Sequence, residues 1–180
     1  MDGLSRHLES AGWLTRFQIG EIQAGRGEAL TFSGYRLLDR LPDLPSGPAF
    51  RAYHPALQQA VVLRWIERAW LEPADTVHGF VQRAQAASLL SHPHALHVLD
   101  AGVVGDRIFV VQDYDGGASL STLVTEMGAL PASLACEYGR QAADALQAAH
   151  DRGIVHGEIT PSKLSLAPVI RRAGVNQNGQ

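Results

Sequence analysis

The chain has 180 residues, 46% hydrophobic and 18% charged, which excludes a disordered polymer and suffices for one ordinary domain or two small ones. A net charge of −3 and a pI near 6.2 supply no attraction for nucleic acid or an anionic membrane, and no run approaches the ~20 apolar residues that cross a bilayer. The single cysteine, Cys136, excludes an internal disulfide framework and a cysteine-rich zinc site.

The opening "MDGLSRHLES" has an acid at its second residue and lacks the apolar stretch of a secretory leader, so a soluble, cytoplasmic protein is expected. Residues 1–30 are expected to form a helical extension. In "WLTRFQIGEIQAGRG", Thr15 is placed to cap a helix with Gln18 three residues on, a capping-box spacing, and Gly25 and Gly27 supply a stop. From Tyr35 the pattern shortens. "YRLLDRL", "AFRAYHP" and "QAVVLRWI" are apolar or β-branched segments separated by turn residues, which predicts an antiparallel meander.

In "DTVHGFVQRAQAASLL", Val77, Phe80, Val81, Ala84, Ala87 and Ser88 fall on one helical face. "ALHVLDAGVV" and "DRIFVVQDY" predict two further strands joined by a Gly-Asp turn, and "GGASLSTLVTEMG" a short helix closed by Gly128. The longest helix is predicted over "PASLACEYGRQAADALQAAHDRG". Pro131 opens it, Leu134, Tyr138, Ala142, Ala145, Leu146 and Ala149 form its stripe, and Gly153 ends it. Cys136 lies inside this apolar pattern and is expected to be a packed thiol. Trp13, Trp65 and Trp70 are expected to anchor the core or an interface. His92, His94 and His97 lack the spacing of a metal-binding pair on one helical face, so no metal is expected there. The polar residues 167–180 are expected to be a disordered tail. The predicted order is an α+β arrangement: a five-stranded antiparallel sheet with one helix, leading into a helical part.

That order, ending in "HGEITPSKLSL", resembles the bacterial eukaryotic-type serine/threonine protein kinases, most strongly in "LLSHPHALHVLDAG", "FVVQDYDGGASLSTLV" and "ALQAAHDRGIVHGEITPSKLSL". The resemblance implies a kinase-like N-lobe over 35–114 and the first helices of a C-lobe over 115–166. It also implies site residues. A kinase covers ATP phosphates with a Gly-rich hairpin. The matching turn here is "LPDLPSGPAF", where Pro42 and Leu44 stand at the first two glycine positions, Gly47 alone remains, and Pro42 and Pro45 lack amide donors. The phosphate-binding lysine becomes Arg64, and the glutamate that pairs with it becomes Arg83, which replaces an ion pair by two cations. Asp113 and Tyr114 fall at the hinge that would meet adenine through backbone atoms.

In the catalytic loop His156 keeps its place and Gly157 replaces arginine. Glu158 stands for the catalytic aspartate, Thr160 for a lysine near the γ-phosphate, and Lys163 for the asparagine that holds Mg²⁺. Lys163 is also the only lysine among 15 basic residues. No Asp-Phe-Gly occurs in residues 167–180, and a kinase-like domain without the lobe that covers the long helix is expected. Leu134, Tyr138, Ala142 and Leu146 are therefore expected to face a protein partner. The reading expected from these substitutions is a pseudokinase that binds protein, with no cofactor and no bound metal. The alternatives are an atypical serine/threonine kinase using ATP and Mg²⁺, or a non-functional remnant.

Overall fold

Thr15 stops the chain being extended and starts it being helical. The computed structural model describes residues 3–42, 46–71 and 76–166. In it, Gln18 N–H donates to Thr15 Oγ1 at 3.2 Å while Thr15 N–H donates to Gln18 Oε1 at 3.0 Å, so both arms of the capping box form. The helix they open, α2 (Arg16–Gln23), follows α1 (Gly3–Ser10). A 3₁₀ turn over Gly27–Leu30 leads on to a short strand, β1 (Thr31–Phe32).

The meander follows as β2 (Tyr35–Arg40), β3 (Ala49–His54) and β4 (Gln59–Ile66), then α3 (Val77–Ala87), β5 (Val98–Val104) and β6 (Arg107–Asp113). These strands form one antiparallel sheet in the order β1-β2-β3-β4-β6-β5. It has six strands, so the expectation of five is corrected. The added strand is β1, which pairs Thr31 with Arg36 across a turn where Ser33 and Gly34 both have positive φ. Alternation sets the core: Val61 and Leu63 on β4 and Val111 on β6 are fully buried, together with Leu37 and Ala52. Tyr35 on β2 donates its hydroxyl to the Asp100 carboxylate on β5, 3.0 Å away, although three strands lie between them in the sheet order. The sheet is therefore curled. Burial, reinforced by that bond, raises the Tyr35 pKa.

The predicted apolar face of α3 is its inward one: Val77, Phe80, Val81, Ala84 and Ala87 are half-buried while His78, Gln82, Arg83, Gln85 and Ala86 are exposed. Gln85 Nε2 reaches Ala101 O at 3.1 Å and so satisfies a carbonyl on edge strand β5.

The chain divides into two compact units. One holds the described residues up to Ser91 together with His97–Tyr114; the other holds His92–Leu96 and the described residues from Asp115 onward. The second contains β7 (Ala118–Ser119), α4 (Leu120–Met127), α5 (Ala132–His150) and β8 (Ser165–Leu166). Ser119 caps α4, accepting from Thr122 N–H at 3.1 Å, and Pro131 caps α5 from just outside its first turn. Strands β7 and β8 pair antiparallel, Leu120 N–H donates to Leu164 O at 2.8 Å, and Ser165 Oγ bonds the Asp115 carboxylate. These contacts moor the segment after the catalytic-like loop.

On α5, Ala149 is buried, Tyr138, Ala142, Ala145 and Leu146 are half-buried, and Leu134 is exposed. Cys136 is exposed too, which corrects the packed thiol. At about 100° per residue it lies some 200° around the helix from Leu134, off the stripe that its neighbours suggested. Trp13 is likewise exposed and anchors no core, whereas Trp65 packs against Phe50 and Phe32 with ring centroids 4.6 and 5.7 Å apart. The expected tail at 167–180, the turn residues Leu44 and Pro45 and the side chain of Trp70 lie outside the described residues.

The solvent face of α5 carries one relay. Arg140 bonds Glu137 and Asp144, each at 2.7 Å, and Gln141 Nε2 donates to Glu137 at 2.8 Å. The Arg140 bond, aided by Gln141, holds the Glu137 pKa down to about 2. A carboxyl depressed on folding adds stability above its ordinary pKa and loses it as pH falls toward the folded value. Arg140→Ala is expected to return the Glu137 midpoint toward the ordinary carboxylate range in an NMR carboxyl titration. An unchanged midpoint would mean that the relay is not formed in solution.

Candidate functional site

The expected nucleotide-binding residues of the sheet unit are committed to the fold. Gly47 has φ +130, and a Cβ there would lie 2.5 Å from Trp65 O and 3.3 Å from Glu67 Cγ. The glycine is needed because the turn before β3 rests directly on β4. Trp65 N–H donates to Pro48 O and Glu67 N–H to Ser46 O, each at 2.9 Å, which fixes that approach. Pro42, in the same turn, contributes no amide.

Arg64 projects from β4 on the face opposite Leu63 and is half-buried. Its Nη2 donates to Ser46 Oγ at 2.7 Å, Nε is buried without a partner, and burial lowers its pKa. No carboxylate among the described residues pairs with it. Arg83 is exposed, with Nη1 lying 3.8 Å from where a Cβ on Gly79 of its own helix would sit. Of the two expected cations, Arg83 thus lies along its own helix and Arg64 folds onto Ser46. Arg64→Met keeps the apolar stem and removes a half-buried, unpaired charge. It is expected to leave stability unchanged or raise it by about 1 kcal/mol in chemical denaturation. A loss of that size would show that the guanidinium is better satisfied than its contacts indicate.

At the end of β6, Asp113 N–H donates to His97 O at 3.0 Å, so this hinge amide is already used; Tyr114 follows, half-buried. His97 Nε2 lies 2.8 Å from Ser88 O. His92 and His94 stack edge to face with centroids 5.6 Å apart, and His92 Nδ1 accepts from His94 N–H at 3.2 Å. Among the described residues no three His, Cys, Asp or Glu side chains gather as a metal-binding group.

In the helical unit the structure brings two catalytic-loop positions together. Lys163 ends a 3₁₀ turn over Pro161–Lys163, and its Nζ lies 4.0 Å from Glu158 Oε2. The Glu158 side chain is 62% exposed and that of Lys163 28%, so the lysine is the more enclosed partner. Glu158 N–H faces His156 Nδ1 at 3.4 Å, and Thr160 Oγ1 shares a hydrogen bond with Ser162 Oγ at 2.9 Å. Gly157 has φ +79 with no atom near its would-be Cβ; the arginine usual in kinases would meet backbone strain there, not a clash. Ser46 and Ser165 were missed in the sequence. Neither has a chemical signature, and their partners lie 18 and 50 residues away.

An antiparallel curled sheet with one helix on it, followed by a hinge, a short helix and a long helix, is the architecture of a protein-kinase N-lobe and the start of its C-lobe. The chain is 30% identical over 135 residues to the serine/threonine-protein kinase pkn3 of Myxococcus xanthus, covering 74% of this chain and 25% of that protein. It is 33% identical over 122 residues to PknK of Mycobacterium tuberculosis, covering 67% and 11%, and 29% identical over 146 residues to a probable serine/threonine-protein kinase of Clostridium perfringens, covering 81% and 20%. The crystal structure of the M. tuberculosis PknI kinase domain matches with a TM-score of 0.70 at 26% identity, covering 76% of this chain and 56% of that one. No protein-family model matches. Its similarities in sequence are thus to bacterial serine/threonine protein kinases, and its fold is kinase-like. It spans a quarter or less of the length of these curated relatives. No helix among the described residues is long and apolar enough to cross a membrane.

Proposed function

We propose that this kinase-like chain does not transfer phosphate and acts by binding another protein. The observation that carries the reading is the Glu158–Lys163 pair. The position that would hold Mg²⁺ in a kinase supplies an ammonium instead, and that ammonium faces the carboxylate at the catalytic position. A divalent cation within about 4 Å of it meets repulsion of about 2 kcal/mol even at the dielectric of water. The residues do not suit a magnesium–nucleotide pair, and no catalytic step is derived through one. Gly47, Arg64 and the Asp113 amide support the same reading, since each is engaged within the protein. The partner surface is assigned to the stripe Leu134, Tyr138, Ala142 and Leu146 on α5, whose four-residue spacing keeps them along one side of the helix, suited to an apolar helical face of another polypeptide.

The reading is tested by thermal shift with ATP alone and with ATP plus Mg²⁺. No shift in either is expected, whereas saturation at a hundredfold over Kd would add about 2.7 kcal/mol. A shift that requires Mg²⁺ would favour the second reading, an atypical ATP-dependent serine/threonine kinase. The carboxylate kept at Glu158 and the named activities of the relatives speak for that alternative.

A further inference from the structure

We propose that the cleft between the α1–α2 turn and β2 is a docking site for an acidic peptide segment that carries one bulky apolar side chain. The cleft has a volume of about 340 Å³, room for one large side chain. Trp13 lines it and is 73% exposed, while Leu14 and Leu38 line it half-buried. An indole left in water forgoes the burial that its area offers, and tryptophan and arginine are the residues over-represented where protein interfaces concentrate their affinity.

The polar wall decides the partner's charge. Thr15 and Gln18 also line the cleft, but both side chains are spent on α2 and on the carbonyls of β2: Gln18 Nε2 donates to Leu37 O at 2.8 Å and Thr15 Oγ1 to Leu38 O. The remaining charged group is Arg36, and no lining residue is acidic. Its guanidinium carbon sits 4.9 Å from the centroid of the Tyr53 ring, so the fork is held in place before any ligand arrives. A preset guanidinium beside an apolar cleft suits a carboxylate next to an aliphatic or aromatic side chain. The surface belongs wholly to the sheet unit, and the inference holds whether or not the chain transfers phosphate.

The test selects binders from a random heptapeptide library on the 180-residue chain. Enriched peptides are then titrated, fluorescein-labelled, against that chain and its Trp13→Ala and Arg36→Gln variants. Expected are sequences with Asp or Glu beside Leu, Phe or Trp that bind each variant at least ~tenfold more weakly. Melting temperatures of the variants should match the parent, because both side chains are exposed. No enrichment, enrichment without acids, or equal binding to the variants would overturn the proposal. So would a dimer in sedimentation that disappears in Trp13→Ala, since the cleft would then serve a second copy.

Discussion

Gly47→Ala is expected to lower the free energy of unfolding by about 2–3 kcal/mol, whether or not nucleotide is present. Two costs combine. A φ of +130 lies where residues with a side chain rarely go, and such strain costs on the order of 1–3 kcal/mol. The new methyl would also sit 2.5 Å from Trp65 O, a backbone atom, so relief requires the turn to leave β4. That movement lengthens the Trp65–Pro48 and Glu67–Ser46 hydrogen bonds and withdraws Ser46 from Arg64. For a chain of this size the melting temperature should fall by roughly 5–10 °C. Were the glycine kept for phosphate contact instead, the same variant would melt near the parent and differ only in nucleotide affinity.

Gln18→Ala should cost about 2–4 kcal/mol. The side chain is buried, and its two ends serve different elements: Oε1 accepts from Thr15 N–H at the start of α2, and Nε2 donates to Leu37 O on β2. Strand β2 shifts register between Leu37 and Asp39, and the Leu37 and Leu38 carbonyls at that irregularity are bonded by Gln18 and Thr15. Alanine strands a part-buried donor and a buried acceptor, each at about 1–3 kcal/mol. Gln18→Glu keeps the acceptor for Thr15 but sets a buried carboxylate against the Leu37 carbonyl, so its loss should be at least as large. Urea denaturation of the two variants orders the effects. A neutral Gln18→Ala would mean that α2 is loosely attached and that the extension is no part of the lobe.

Much of this architecture was legible because its signals are local. Strands β2, β3 and β4 coincide with their apolar segments since alternation and the bounding Pro, Gly and Asp residues act over a few positions. The Thr15 capping box was legible for the same reason, although its second task, closing the β2 irregularity, needs a partner 23 residues away. Strand β1 has two residues, too few for a period to show in the sequence. Cys136 was misplaced because an apolar neighbourhood in sequence was read as one in space, while the helix turns it away.

The candidate site residues could be named by type from the sequence, but their partners could not. The sequence placed Arg64, Glu158 and Lys163, but the Arg64–Ser46 bond depends on the hairpin lying on β4. Likewise Glu158 and Lys163, five residues apart, meet only because a 3₁₀ turn at Pro161–Lys163 reverses the chain. Helical spacing rules give no such pairing.

Transfer of radiolabelled γ-phosphate from ATP, in the presence of Mg²⁺, to the purified chain or to a generic protein acceptor tests the account most directly. Incorporation is predicted to stay at background and to be the same for the parent chain and Glu158→Ala. Label that accumulates on the parent and vanishes in Glu158→Ala would show that the carboxylate works as a base despite Lys163, and the non-catalytic reading would fall.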